Sequence, residues 1–158
     1  MRTTIIRIQL NNNPIRKNIK NLPITPLTRR GTGKTYASAF AMRELGFKKV
    51  LFLVHRGQLA RQTKKSYEKV FAKSVSMGLV GAGYHEYEAD YVFATVQTLN
   101  RDEHLLQYDK NAFDCIIFDE AHHVTADTYQ KIMKHFTPKL WLGMTACSAM
   151  HSTMPCKR

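Results

Sequence analysis

The sequence predicts an α/β fold, a parallel β-sheet flanked by helices, and three observations predict it. Short apolar runs alternate with helix-length segments of about 10 to 15 residues, the pattern of a parallel sheet with its sites at the carboxyl ends of the strands. A glycine-rich loop, Gly31-Thr32-Gly33-Lys34-Thr35, opens one of those helices. Far downstream, the apolar run Cys115-Ile116-Ile117-Phe118 ends in Asp119-Glu120-Ala121-His122, which sets two carboxylates at a buried strand end.

Each element follows from local pattern. Thr35 to Glu44 carries Ala, Met and Phe at helical spacing, and Gly46 stands as its stop. Val50-Leu51-Phe52-Leu53-Val54 is continuously apolar, as in a strand buried on both faces. Leu59 to Phe71 reads as a basic helix with Leu59, Tyr67, Val70 and Phe71 on its core face. Val75 to Val80 and Tyr91 to Thr95 read as strands, with Gly81-Ala82-Gly83 as turn material between them. Val96 to Leu106 reads as a short helix, Cys115 to Phe118 as a strand, Ala126 to Phe136 as a helix and Leu140 to Met144 as the last strand.

The two ends break this order. Residues 1–27 contain Asn11-Asn12-Asn13, Pro14, Pro23 and Pro26 and read as an irregular basic segment. A phosphate loop normally follows a buried strand. Here that place is held by Leu22-Pro23-Ile24-Thr25-Pro26-Leu27, and proline lacks the donor that a central strand needs. Residues 147–158 read as an unpatterned tail. The expected organisation is thus 1–27, a domain over 28–146, and the tail.

A length of 158 residues suits one domain with a real core, and 44% hydrophobic with 23% charged residues excludes wholesale disorder. No apolar run approaches the roughly 20 residues of a membrane span. The apolar start is broken by Arg7, whereas a secretory signal needs a longer apolar core. A soluble, cytoplasmic protein without a membrane partner is expected. Three cysteines without a Cys-x-x-Cys pair suggest neither a disulfide framework nor zinc, and the seven histidines are scattered apart from His122-His123. Charge is uneven. Residues 1–75 carry 17 Lys/Arg against Glu44 and Glu68, while residues 76–158 carry 7 against 10 acids. Such a basic half fits a phosphate-backbone binder, and a lysine-rich solvated surface stands beside it as the alternative.

The chemistry sits in the two motifs. Gly31 and Gly33 let the backbone turn tightly and aim N–H groups at phosphate oxygens, and the following helix adds its positive end. Lys34 is placed to reach terminal phosphates and the Thr35 hydroxyl to ligate Mg²⁺. Of Asp119 and Glu120, one can hold the metal and its neighbour can orient and deprotonate water. A glycine turn that merely caps a helix, and a pair of solvated acids, are the structural alternatives.

With these residues in view, the chain resembles the first RecA-like domain of a superfamily 2 helicase or translocase of the DEAD/DEAH-box type. It looks closest to the motor subunits of type III restriction enzymes. Asp119-Glu120-Ala121-His122 matches the DEAH box and Gly31 to Thr35 the phosphate loop. Leu53-Val54-His55-Arg56 with Leu59 and Gln62, and Thr95-Val96-Gln97-Thr98-Leu99, resemble two segments that touch the nucleic-acid backbone. Leu142-Gly143-Met144-Thr145-Ala146 resembles the segment that couples hydrolysis to domain movement.

The resemblance spans about residues 31–146 and implies a role for each position. ATP and Mg²⁺ are the implied ligands. Gly31, Thr32, Gly33 and Lys34 would bind phosphates, Thr35 and Asp119 would hold Mg²⁺, and Glu120 would act as general base. His122 would couple the nucleotide to Thr145 and Ala146. Arg56, Thr95 and Gln97 would lie near a nucleic-acid strand, DNA in preference to RNA. For Thr95 an ordinary helix cap is an equally good physical reading.

Three departures qualify the match. Thr28-Arg29-Arg30 replace the usual lead-in to the loop, and no adenine-recognising segment is visible upstream. Cys147-Ser148 follow Ala146 where the family has Thr-Pro. The second RecA-like domain with its arginine finger is to be supplied elsewhere. Such a finger is worth about 10³–10⁵ in rate, so slow hydrolysis and no unwinding are expected of this polypeptide alone. A nucleic-acid-binding module without catalysis and an inactive helicase fragment remain the alternative functions.

Overall fold

A computed structural model of the chain describes residues 2–10, 33–119 and 127–148. In chain order the elements are β1 (Arg2–Leu10), α1 (Gly33–Leu45), β2 (Val50–Val54), α2 (Gly57–Phe71), β3 (Met77–Gly81), β4 (Tyr84–His85) and β5 (Tyr91–Thr95). The one-turn helices α3 (Val96–Leu99) and α4 (Asp102–Leu105) follow, then β6 (Cys115–Asp119), α5 (Asp127–His135) and β7 (Leu140–Ser148).

The seven strands form one sheet in the order β1-β7-β6-β2-β5-β3-β4. The five inner strands from β7 to β3 are mutually parallel, and β1 and β4 close the two edges antiparallel. Continuous apolar runs explain the interior. A strand with no polar face must be covered on both sides, and alternate residues do go to opposite layers. Val50, Phe52 and Val54 pack with Ala39 and Met42 of α1 and with Ala60, Tyr67 and Phe71 of α2. Leu51 and Leu53 pack on the other face with Val96, Leu99, Tyr129, Ile132 and Phe136. Strand β6 splits in the same way, Cys115 and Ile117 to the first layer and Ile116 and Phe118 to the second. Burial pushes the Cys115 thiol well up, so it behaves as a small apolar residue and not as a nucleophile.

Tyr67 ties the first layer together. It is fully buried, and its ring lies 5.2 Å from Phe93, 5.7 Å from Phe52, and 6.1 Å from both Phe71 and Tyr91. Its hydroxyl is 2.8 Å from Ser38 Oγ, and Ser38 donates its own proton to the Thr35 carbonyl at 2.8 Å. Ser38 has one proton to give, so Tyr67 must donate to Ser38. Burial, opposed by that hydrogen bond, raises the phenol far above its ordinary range, so it stays protonated and able to donate. The first turn of α1 is thereby fastened to the core of α2.

At the opposite edge a carboxylate joins three chain segments. Asp114 Oδ2 accepts the N–H groups of Lys48 (3.2 Å) and Lys49 (3.1 Å), and Oδ1 accepts Lys139 Nζ at 2.7 Å. The starts of β2, β6 and β7 are pinned by this one side chain, which lies immediately ahead of β6.

The sequence expectations require corrections at the edges. Residues 2–10 are not irregular. They form a nine-residue strand paired along its whole length with β7, from Arg2 opposite Ser148 to Leu10 opposite Leu140. Ile6, Ile8 and Leu10 alternate with Arg7 and Gln9, the two-residue period that marks a strand. Residues 147 and 148 likewise belong to β7 rather than to a tail. The Gly81-Ala82-Gly83 turn joins β3 to the two-residue β4 instead of leading straight to β5, and residues 96–106 hold two single turns instead of one helix. The proline-bearing segment 22–27 lies outside the described residues.

Acid stability follows from Asp114. Burial alone would raise this carboxyl, but the Lys139 hydrogen bond, the Lys49 N–H and the lysine charge outweigh it and hold the pKa below its ordinary value. A depressed carboxyl stabilises the fold above its unfolded pKa of about 3.9, and that stability is lost as pH falls through the folded value. Denaturant titrations should therefore show stability declining below about pH 4. Asp114→Asn should flatten that decline and cost on the order of 1–3 kcal/mol at neutral pH.

Candidate functional site

Parallel strands send their carboxyl ends to one edge, and the register shows which residues arrive there together. Val54 of β2 lies opposite Thr95 of β5, Leu53 opposite Phe118 of β6, and Asp119 opposite Met144 of β7. Thr95, Asp119, the His55-Arg56 segment that leaves β2, and the stretch of β7 after Met144 therefore share this edge. Helix α1 reaches the same place. Four residues separate its end from the start of β2, at the amino edge, where Gly46 has φ +66° and donates to the Arg43 carbonyl at 3.2 Å. Its 13 residues pack back across the sheet through Ala39 and Met42. At 1.5 Å per residue a helix of this length spans about 20 Å, enough to cross a five-residue strand of about 17 Å. Gly33, Lys34 and Thr35 are thus directed to the edge that carries Asp119.

The local electrostatics favour anions there. No acidic residue occupies the first turn of α1, so no side chain of that turn offsets the positive end formed by the N–H groups at Gly33 to Thr35. Helix α2 begins the same way. Its N-cap is Arg56, in extended conformation (φ −128°, ψ 136°), with no side-chain cap and no acid in the first turn. Ser, Thr, Asp and Asn are the favoured caps, so an exposed arginine here gives up capping stability of roughly 0.5–2 kcal/mol.

Lys34, Thr35 and Asp119 are half-buried, and Arg56 and Gln97 are exposed. The Thr95 side chain is engaged in capping α3: its Oγ1 accepts the Thr98 N–H at 3.2 Å and donates to Thr98 Oγ1 at 2.8 Å. Thr145 and Ala146 lie in β7, with Ile5 and Thr4 of β1 as their backbone partners. Gly31, Thr32, Glu120 and His122 lie outside the described residues. The Thr35 hydroxyl and the Asp119 carboxylate are hard oxygen donors, the kind Mg²⁺ takes in ones and twos beside substrate phosphates.

Two features of this edge escape motif reading. His55 Nε2 lies 2.7 Å from the hydroxyl of Tyr129 in α5, and Tyr129 packs on Phe118 with ring centroids 5.2 Å apart. The chain beside Arg56 is thus linked to the residue preceding Asp119. No spacing rule finds a pair 74 residues apart. The second is Gly81, at φ +107°, where an added Cβ would meet Thr98 Oγ1 at 2.5 Å. Here the missing side chain lets the β3–β4 turn lie directly against α3.

A parallel sheet with a glycine-loop helix and a carboxylate at its carboxyl edge defines a class, the RecA-like motor domains of helicases. A solved hypothetical ATP-dependent RNA helicase from Sulfolobus tokodaii superposes with TM-score 0.60 at 26% identity, covering 73% of this chain and 38% of its own. A nuclease-deletion mutant of the Type ISP restriction-modification enzyme LlaGI, solved with a DNA substrate mimic, shows the same fold. It gives TM-score 0.58 at 23% identity over 72% of this chain and 12% of its own. The chain belongs to the family described as type III restriction enzyme, res subunit, whose profile matches residues 16–149. Strand β1 lies ahead of that match.

Among curated relatives, the putative ATP-dependent helicase IRC3 of Saccharomyces cerevisiae is 35% identical over 136 residues, 78% of this chain. The putative DNA 3'-5' helicase Rad25 of Haloarcula marismortui is 33% identical over 125 residues, 77% of this chain. The chain spans 19% of the length of each.

The Gly81 geometry yields a paired prediction. Gly83 also has positive φ (+87°) but nothing within 4 Å of an added Cβ. Gly83→Ala should therefore cost strain alone, about 1–3 kcal/mol. Gly81→Ala should cost more by on the order of 1–3 kcal/mol, because overpacking against Thr98 adds to the strain. Chemical denaturation of both variants checks the order.

Proposed function

We propose that residues 28–146, with β1 added at the sheet edge, are the ATP-binding first motor domain of a DNA helicase or translocase, acting with a second RecA-like domain. The observation that carries this reading is the carboxyl edge itself, toward which the Lys34-Thr35 turn is directed and where β6 delivers Asp119 in register with β7. On this reading Gly31 to Lys34 cradle the β- and γ-phosphates, and Lys34 neutralises their charge. Thr35 and Asp119 hold Mg²⁺, which when bound neutralises charge developing on the phosphate oxygens. Glu120 orients the attacking water and takes its proton on a carboxylate oxygen. His122 relays the nucleotide state to Thr145 and Ala146.

Arg56 and Gln97 contact the nucleic-acid backbone, and the start of α2, with no side-chain cap from Arg56 and no acid in its first turn, supports that role through the helix's positive end. Thr95 acts beside them by shaping the start of α3. DNA is favoured over RNA as the partner because of the restriction-enzyme family and the Rad25 relatives. The proposed setting is the cytoplasm; among the described residues no helix is long and apolar enough to cross a membrane.

Calorimetric titration with Mg·ATP tests the nucleotide half. The expected result is weak binding that falls at least about tenfold, or 1.4 kcal/mol, in Lys34→Ala and persists in Glu120→Gln. Absence of nucleotide binding by the folded chain would leave a nucleic-acid-binding module without catalysis as the better reading.

A further inference from the structure

The outer face of α2 carries charge that the nucleotide edge does not use. Arg61, Lys65 and Lys69 recur every fourth residue, all exposed, and Lys73 continues the series just beyond the helix. At 3.6 residues per turn the three helical positions fall within an arc of about 80°, with successive steps of about 6 Å along the axis. Successive backbone phosphates of an extended nucleic-acid strand are spaced comparably.

Four other lysines are held by acids, while Lys34, Lys48, Lys110 and Lys134 stand apart from one another in the sequence and form no ion pair among the described residues. Lys49 pairs with Asp90, Lys131 with Asp102, and Lys139 with Asp114. Lys64, on the inner side of α2, lies 3.8 Å from both Glu68 and Glu86. Arg61, Lys65, Lys69 and Lys73 form no ion pair among the described residues. Glu68 lines the same groove as Lys65, Lys69 and Lys73, and its carboxylate lies 3.8 Å from Lys64.

Backbone strain supports the same place. Ala72 and Lys73 both adopt left-handed conformations, at φ +45° and +66°, although neither is glycine or asparagine. Consecutive left-handed residues with side chains are costly, and such strain persists where something else requires the residue. The strained turn folds Lys73 back beside Lys65 and Lys69, where they line a groove of about 820 Å³ against the start of β3.

We propose that this row is a second nucleic-acid contact, holding the sugar-phosphate backbone as it continues from Arg56 along α2 toward the amino edge of the sheet. The inference deepens the nucleic-acid half of the proposed function and rests on it for the class of ligand. The row would act by charge alone, without reading bases, and would extend the length of strand bound.

The test is fluorescence anisotropy of a labelled oligonucleotide, single-stranded or duplex, across a salt series. It compares the wild-type chain with Lys65→Gln/Lys69→Gln/Lys73→Gln and with Arg56→Ala/Gln97→Ala. Each lost phosphate contact lowers the slope of log K against log salt by about 0.7 on a single strand, so the triple variant should lose about 2 from the slope. Its affinity at low salt should drop at least about tenfold, the loss being smaller on an oligonucleotide too short to reach beyond Arg56.

Lys73→Asn should separate strain from charge, raising the melting temperature while weakening binding; a rise with unchanged binding counts against the row. An unchanged slope in the triple variant, with binding lost in Arg56→Ala/Gln97→Ala, would overturn the row and leave the proposed function standing. No binding by the wild-type chain at low salt would remove both. Equal displacement of the oligonucleotide by polyglutamate would show a site for acidic polypeptides, and would also overturn it.

Discussion

The placement of α1 depends on one buried phenol. Tyr67 sits against Phe52, Phe93 and Tyr91 of the sheet and Phe71 of its own helix, so its ring is held in place apart from its contact with α1. Its proton goes to Ser38, whose own proton goes to the carbonyl of Thr35. The relay runs from the core face of α2 to the first turn of α1 through two hydrogen bonds of 2.8 Å. Breaking it would leave a polar group buried without a partner, at a cost of about 1–3 kcal/mol, and would loosen the turn that presents Lys34.

The two faces and two edges of the sheet then divide the labour. The amino edge is structural, gathered by Asp114 around the starts of β2, β6 and β7. The carboxyl edge collects two helix starts with no acid in their first turns, a lysine, an arginine, and a carboxylate of the kind that holds a divalent cation beside phosphate. The His55–Tyr129 contact joins the segment beside Arg56 to the strand that carries Asp119. The separation of the two edges follows from the five inner parallel strands, which all send their carboxyl ends the same way.

Much of this was legible in the sequence because it is local. Val50–Val54 and Cys115–Phe118 are apolar without interruption, and only a strand covered on both faces accommodates that. The motifs are contiguous, so their residue types could be read without a fold. Strand β1 was less legible: Ile6, Ile8 and Leu10 alternate correctly, but the asparagines and prolines that follow obscure a strand only nine residues long. What no local pattern encodes is which distant groups meet. The partners Ser38 and Tyr67, His55 and Tyr129, and Lys49 and Asp114 are separated by 29, 74 and 65 residues. The strained turn at Ala72 and Lys73 was also hidden, since neither residue announces a left-handed backbone.

The claim on which function rests is that residues 31–35 and 119–122 serve a single ligand. Amide hydrogen exchange, followed with and without Mg·ATP, addresses it directly. The account predicts that both stretches gain protection together, with the same dependence on nucleotide concentration. Protection of one stretch alone, or of neither while the fold stays intact, would contradict it.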